Sequence, residues 1–138
     1  MATYAGVQLE IETRMEAQWA DDDVTVRYEN EARKLPTGKH IKFFIRSGLS
    51  NESGFAGGKI LYRRPGWIIA QCFIQAKEAT QQCRTIADAV VNIFEGQQFA
   101  GITFRESEIV EVGNLDGSNG FYQINAKVFF DFDFERTV

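Results

Sequence analysis

Three carboxylates recur at every second position near the end of this 138-residue chain, at Asp131, Asp133 and Glu135. Alternate residues of a β-strand point to the same face, about 7 Å apart at each step, so these side chains would form one acidic strip. Such a strip is suited to bind a divalent ion, to meet a basic neighbour or to remain in solvent. Catalytic carboxylate pairs also need a substrate cleft between them, which an exposed strand does not supply. We therefore interpret the strip as a solvated or interface surface and not as a catalytic centre.

The other reactive residue types do not combine into a recognisable site. His40 is the only histidine, and without a second histidine or a cysteine pair to complete a zinc site we predict a surface side chain. Residues 54–59 partly resemble a phosphate-binding loop, but the spacing is one residue short and Ile60 stands where serine or threonine must bind magnesium. Cys72 and Cys83 are expected to be buried thiols. The sequence thus nominates no catalytic residue, no metal ligand and no cofactor, and it predicts a protein that is not an enzyme.

Composition argues against several classes of function. The net charge of −4 disfavours direct nucleic-acid binding, which depends on clustered lysine and arginine. No apolar run approaches the ~20 residues needed to cross a bilayer, and the N-terminus lacks the features of a signal peptide, so we expect no membrane insertion and a cytoplasmic site of synthesis. Twelve phenylalanines favour β-structure and large buried surfaces. The length predicts a single domain over residues 1–138 that can bury a proper core.

The acidic strip belongs to an unusually long predicted strand, residues 122–135. One face of it is apolar and consists of Tyr122, Ile124, Ala126, Val128, Phe130, Phe132 and Phe134. Fourteen residues at about 3.3 Å each would reach roughly 46 Å, whereas a globule of this size is about 37 Å across. We therefore predict that the strand overhangs its own domain near Phe132 and Phe134. An unpaired apolar strand end invites pairing with another chain.

Two amphipathic helices and several shorter strands are expected to support this strand. Apolar stripes at helical spacing predict helices over 4–19 and 78–95. Predicted strands cover residues 24–28, 40–46, 59–64, 67–74, 102–104 and 109–112, with loops at 29–39 and 113–120. Pro65-Gly66 suits a tight turn, and residues 67–74, apolar on both faces, suit a central strand covered on both sides. The order predicts an α+β fold, a mostly antiparallel β-sheet with two amphipathic helices packed on it and a long C-terminal strand.

Two further features extend the candidate interface. Residues 47–58 have no periodicity and predict a mobile hairpin tip or arm that becomes ordered against a neighbour on assembly; its characteristic residues are Ser47, Asn51, Gly54, Phe55, Gly57 and Gly58. Arg63 and Arg64 are either solvated turn charges or the complement of the acidic strip in a neighbouring copy. The candidate interface therefore comprises Arg63, Arg64, Phe130, Asp131, Phe132, Asp133, Phe134 and Glu135.

Short segments in order along nearly the whole chain carry a resemblance to one protein family. They are Gln18-Trp19 at the end of the first helix, Tyr28-Glu29-Asn30, Leu35-Pro36-Thr37-Gly38, Ile41-Lys42-Phe43-Phe44-Ile45, Gly66-Trp67-Ile68-Ile69-Ala70-Gln71-Cys72-Phe73-Ile74, Ala87-Asp88-Ala89-Val90-Val91, Phe94-Glu95-Gly96-Gln97, Gly101-Ile102-Thr103-Phe104, Glu111-Val112-Gly113 and Phe121-Tyr122-Gln123-Ile124-Asn125. Together they resemble the tail terminator family of long-tailed bacteriophages and prophages. The sequence departs from the family pattern where many relatives carry Pro-Gly-type residues before the second helix. Here Gln75-Ala76-Lys77-Glu78 predicts an early helix start.

The resemblance implies a mixed sheet with two helices and a structural role in the virion. Subunits would form a six-membered ring on the finished tail tube, stop further tube polymerisation and present the surface that docks to the head. The implied partners are other copies of this chain, the tail tube protein and a head–tail connector protein. The implied location is the tail or neck of the virion, after assembly in the cytoplasm of the bacterial host.

Two alternatives remain open at this point. A neck or head-completion protein from the same virion region would share the size, the acidity and the ring symmetry. A small-molecule-binding or enzymatic α+β domain would instead need a deep pocket lined by convergent polar groups, and the sequence nominates none.

Overall fold

The computed structural model describes residues 3–29, 38–76, 78–114 and 120–137. Within them the chain forms α1 (Tyr4–Gln18), β1 (Thr25–Tyr28), β2 (His40–Ser47), β3 (Asn51–Ala56), β4 (Lys59–Gln75), α2 (Thr80–Phe94), β5 (Gln98–Phe99), β6 (Ile102–Asn114) and β7 (Phe121–Thr137). The strands form one sheet in the order β1-β2-β4-β7-β6-β5, and β3 pairs with β4 beside that path. Only β1 and β2 are parallel among these pairs. The predicted α+β fold with a long C-terminal strand is confirmed.

Both helices pack on one face of the sheet, and the core lies between the helices and that face. The apolar stripe of α1 is buried at Val7, Ile11 and Met15. Helix α2 lies against β4 and β7, and the Sγ atom of its Cys83 is 3.3 Å from the carbonyl oxygen of Cys72. At the centre of this core, three pairs of residues across β4 and β7 are fully buried: Ile68 with Val128, Ala70 with Ala126, and Cys72 with Ile124.

The opposite face of the sheet has no helix on it in the described part of the chain. Trp67 and Ile69 alternate with the core residues of β4, and their side chains are only half-buried. The prediction that residues 67–74 form a strand covered on both sides is therefore wrong at Trp67 and Ile69, but it holds at Phe73, which is 9% exposed on that face. An unbroken apolar run is also compatible with a strand that exposes aromatic and aliphatic side chains on one face, and periodicity does not separate the two cases.

The predicted turn at Pro65-Gly66 is wrong, because β4 continues through both residues. Their partners in β7 are Asp131 and Phe130. The Pro65 carbonyl accepts a hydrogen bond of 2.8 Å from the Gly48 N–H, so the missing N–H of the proline also faces the β2 side of β4. There β2 ends and β3 has not yet begun. A proline is tolerated where the neighbouring strand is interrupted, since no ladder hydrogen bond is lost.

Beyond this point the sheet narrows to three strands, which we call the arm (residues 51–63 and 133–137). Strand β3 pairs with the first half of β4 across a two-residue turn at Gly57 and Gly58, whose φ angles are +61° and +78°. Such positive angles suit the hairpin turns that match the twist of the strands. The segment predicted as an aperiodic arm thus contains a six-residue strand, with a register shift between Glu52 and Gly54. Its predicted mobility stays a prediction.

The remaining differences concern ends of elements. Helix α2 begins at Thr80 and not at 78. The Ala76 N–H donates to the Gly120 carbonyl and the Glu78 N–H donates to the Gln75 carbonyl, so both residues are bonded outside the helix. Strand β6 joins the two strand pieces predicted at 102–104 and 109–112 through a register shift between Phe104 and Ser107. Most of the loops predicted at 29–39 and 113–120 lie outside the described residues.

Candidate functional site

The acidic strip pairs with basic residues of its own chain. The Asp131 carboxylate is 2.5 Å from Nε of Arg105, and the Asp133 carboxylate is 2.9 Å from Nε of Arg63. Glu135 lies 3.1 Å from Nζ of Lys59. Lys59 and Arg63 lie on β4 and Arg105 lies on β6, the two strands beside β7, so the three carboxylates and their cations form a row of cross-strand ion pairs. The hydrogen bond to Asp133 raises the pKa of the Arg63 guanidinium above its ordinary value.

Of the two arginines predicted to meet the acidic strip of a neighbouring copy, Arg63 pairs with the strip of its own chain. The two arginines are strand residues and not turn residues, so they point to opposite faces. Arg63 meets Asp133, whereas the Arg64 guanidinium lies 5.6 Å from the ring centres of both Tyr4 and Phe134. Arg64 thus links the start of α1 to the arm through cation–π contacts.

The aromatic residues predicted to be exposed at the overhang belong largely to the core. Phe130 and Phe132 each have 2% of their surface exposed. The Phe130 ring packs 5.2 Å from the ring centre of Phe104. Phe134 is half-buried and stacks on Tyr62 at 5.4 Å. Because β4 is as long as β7 and pairs with it throughout, these side chains are covered. After Phe132, the side of β7 that faces away from β4 is an open backbone edge.

We expect the three carboxylates of the strip to differ in their contribution to stability. Asp131→Asn should lower the free energy of unfolding by about 1 kcal/mol, because its side chain is only 15% exposed and lies near both Arg105 and Arg63. Glu135→Gln is the matched control and should cause no measurable change, since its pair with Lys59 is more exposed. Urea denaturation in low and high salt measures both. Equal losses in the two variants would contradict the burial argument.

Among the described residues, two exposed apolar sites lie on open edges of the sheet, apart from Tyr4 and Leu9 on α1. One is the outer edge of the arm, where Phe55 is 65% exposed, together with the segment just before β3, where Leu49 is 80% exposed. The other is β6, where Ile109 is 46% and Val110 44% exposed. Sequence reasoning placed Ile109 and Val110 in a strand without identifying them as surface residues. The available signal was the pair of adjacent apolar residues between Glu108 and Glu111.

The open face of the sheet carries cations above aromatic rings. Nζ of Lys127 is 4.7 Å from the Trp67 ring centre and 4.9 Å from that of Phe129. Lys42 lies 5.5 Å from the Phe73 ring centre. The alkyl stems of such lysines cover ring surface while the charges stay in water. This face is therefore partly shielded without a covering helix.

The residues with reactive side chains are accounted for by packing. His40 is 2% exposed, so the predicted surface histidine is wrong: its ring stacks on Phe73 at 4.7 Å and its Nδ1 lies 2.8 Å from the Gly38 carbonyl oxygen. Burial lowers the pKa of His40 below its ordinary value, which favours the neutral imidazole. Cys72 and Cys83 are buried free thiols, as predicted. In the described ranges no three His, Cys, Asp or Glu residues are grouped to hold a metal ion.

A small cleft lies where the start of α1 meets the arm, and its lining includes Tyr4, Arg64, Phe134 and Arg136. Its charged groups are two arginines and Glu135, and the Arg64 guanidinium is already engaged over two rings.

Neither helix in the described part of the chain is long and apolar enough to cross a membrane.

Comparison with known proteins supports the fold. No protein-family model and no curated protein matches the sequence. Ten chains of solved structures match the structure. One of them superposes with a TM-score of 0.65 over 97% of this chain and 98% of that chain, at 13% sequence identity. At this identity the likeness concerns the fold alone.

Proposed function

We propose that this protein is a tail terminator, a structural virion protein that forms a ring on the end of a phage tail tube, terminates tube polymerisation and provides the head-docking surface. The resemblance of the sequence segments to that family names the role. The structural observation that supports it most is the arm, which β4 and β7, each of 17 residues, build beyond the body of the sheet. An exposed strand edge is a template for pairing with another chain, and assembly subunits use it in that way.

The positions of the open edges favour a head-to-tail assembly. Strand β7 occupies one side of β4 along its whole length, so β2 and β3 lie on the other side. Strand β6 lies beyond β7. The free edges of β3 and β6 therefore face in opposite directions. Two different surfaces that meet between identical copies form a heterologous contact, which gives a closed ring when the rotation closes.

The proposed partners are other copies of this chain in a hexamer, the tail tube protein and a head–tail connector protein. The number six comes from the family resemblance. The proposed location is the tail or neck of the virion, reached by assembly in the bacterial cytoplasm. The proposed role uses surface complementarity and requires neither catalysis nor a cofactor.

Adding the purified protein to polymerising tube subunits from the same genome should shorten the tubes and place a ring at one end of each. Electron microscopy measures the tube length and shows the ring. An unrelated acidic protein of equal size and concentration serves as the control. A protein that stays monomeric beside assembled tubes and leaves their length unchanged would defeat the proposal. Phage particles that lack the protein should carry overlong tails, whereas tails of normal length without heads would indicate a neck or head-completion role.

A further inference from the structure

We propose that neighbouring subunits join by strand addition, with the outer edge of β3 in one copy paired to the outer edge of β6 in the next. This inference rests on the proposed ring and specifies the surfaces that build it. The contact between subunits then lies at β3 and β6 and not at the Phe130–Glu135 segment predicted from the sequence, whose rings and carboxylates are engaged within the chain.

Both edges are free over a sufficient length. Strand β5 covers only Ile102 and Thr103 of β6, and the Phe104 N–H still donates to the Gln97 carbonyl. From residue 106 to Asn114 the outer side of β6 has no strand partner in the described chain. Among the described strands, β3 pairs with β4 alone, and it has a register shift between Glu52 and Gly54. The regular stretch of β6 between its own two register shifts, residues 107–111, is long enough to accept the Gly54–Ala56 end of β3.

The strand directions are compatible with this pairing. Strand β3 is antiparallel to β4, β4 to β7, and β7 to β6. Strands β3 and β6 of one subunit therefore run in opposite directions. In a sheet continued into the next copy, β3 would run antiparallel to the neighbouring β6, the more stable type of ladder per residue. Because β3 lies level with residues 133–137 of β7 and the free stretch of β6 with residues 122–128, the next copy would also be displaced along the strands.

The exposed side chains also fall on matching faces. Phe55 is in register with Ile60, on the face that carries Phe134 and the helices. Ile109 is in register with the core residue Ala126, on the same face. A sheet continued from one copy to the next would bring Phe55 and Ile109 together, and neighbouring aromatic and β-branched side chains stabilise strand pairs. The other face of β3 presents Asn51, Gly54 and Ala56, which leave room for Val110.

The occupant is a second copy because this chain carries both halves of the contact. Natural edge strands are normally protected by charges, prolines or bulges. Strand β6 carries Glu106, Glu108 and Glu111, yet it leaves Ile109 and Val110 exposed between them. The apolar residues of β3 lie at the opposite edge of the same sheet, so a head-to-tail contact covers both sites at once.

Disulfide trapping tests the contact directly. A Phe55→Cys protein is mixed with an Ile109→Cys protein, with and without tube subunits, and exposed to oxidised glutathione at pH 8. We expect a 55–109 heterodimer to form at least about tenfold faster than the product of Leu9→Cys with Ile109→Cys, because Leu9 is equally accessible but lies on α1. Burial raises the pKa of the Cys83 thiol to about 11 and that of Cys72 further, so the native thiols stay protonated and unreactive. The chain with both substitutions should give a ladder of linked oligomers that stops at the ring size.

A charge pair gives a second readout at the same two positions. Phe55→Asp or Ile109→Lys alone should raise the protein concentration for half-maximal assembly by about tenfold or more, and the double variant should recover most of the loss. Phe55 is 65% and Ile109 46% exposed, and neither side chain belongs to the buried core, so the monomers should retain the circular dichroism of the parent protein. Rings or capped tubes that form without preferential 55–109 linkage, or without any effect of the charges, would overturn strand addition and leave the proposed function standing. The absence of rings together with unchanged tube length would overturn both.

Discussion

Phe130→Ala should lower the free energy of unfolding by about 3–5 kcal/mol, the usual range for a buried phenylalanine. The ring is 2% exposed, packs against Phe104 and Phe132, and lies over the backbone of Gly66. Strand β7 lies between β4 and β6, so the cavity would open in the middle of the sheet. Small domains have a total stability of about 5–15 kcal/mol, and this change would therefore remove a large part of it. Urea denaturation of the monomer measures the loss.

Phe129→Ala is the matched control for this prediction. Phe129 is the preceding residue of the same strand, but its half-buried ring lies on the open face, beside Lys127. We expect a clearly smaller loss, because less apolar surface returns to water and no enclosed cavity forms. Similar losses in the two variants would show that the two faces do not differ in packing as described. Removal of residues 130–138 deletes both Phe130 and Phe132 from the core and should therefore destabilise the protein more than Phe130→Ala does.

Gly66→Ala should destabilise the protein by about 1–3 kcal/mol, in the range of overpacked cores. A Cβ atom at Gly66 would lie 2.5 Å from the carbonyl oxygen of Arg46 and 2.6 Å from Cζ of Phe130. The first of these atoms is backbone in a paired strand and cannot move without disturbing the β2–β4 ladder. The free energy of unfolding from urea titration is the readout.

Gly54→Ala provides the control on another strand glycine. Its Cβ would meet Leu61 Cδ1 at 3.5 Å, an ordinary contact, so we expect little or no loss. In a Phe130→Leu background, Gly66→Ala should cost less than in the parent protein but still more than Gly54→Ala, because the Arg46 carbonyl remains in place. A Gly66→Ala protein as stable as Gly54→Ala would refute the close approach at this position.

The helices and the long strand were predictable because their periodicity arises between residues close in the chain. Apolar stripes placed the helices at 4–19 and 78–95, and they run from Tyr4 to Gln18 and from Thr80 to Phe94. Unbroken alternation placed the last strand at 122–135, and it runs from Phe121 to Thr137. One buried face imposes a period of 3.6 residues on a helix and of two on a strand, so the element types and the core-facing sides could be predicted from local pattern.

The path of β4 could not be predicted in this way. Pro65-Gly66 has the local chemistry of a turn, but Phe130 of β7 packs over Gly66 and the gap between β2 and β3 accommodates Pro65. These neighbours are distant in the sequence. The aperiodic segment before β4 likewise becomes a strand because β4 supplies its hydrogen-bond partners.

The fold class, the two helices and the alternation of the last strand follow from local pattern, because each depends on side chains a few residues apart. Which of the candidate interface residues are available depends instead on contacts between distant parts of the chain. Ion pairs between residues 26 to 76 positions apart engage Asp131, Asp133 and Glu135. The packing of β7 between β4 and β6 buries Phe130 and Phe132, and the short β5 leaves Ile109 and Val110 exposed at the edge of β6. Exposure at an edge depends on which strands end beside it, and local periodicity carries no information about that.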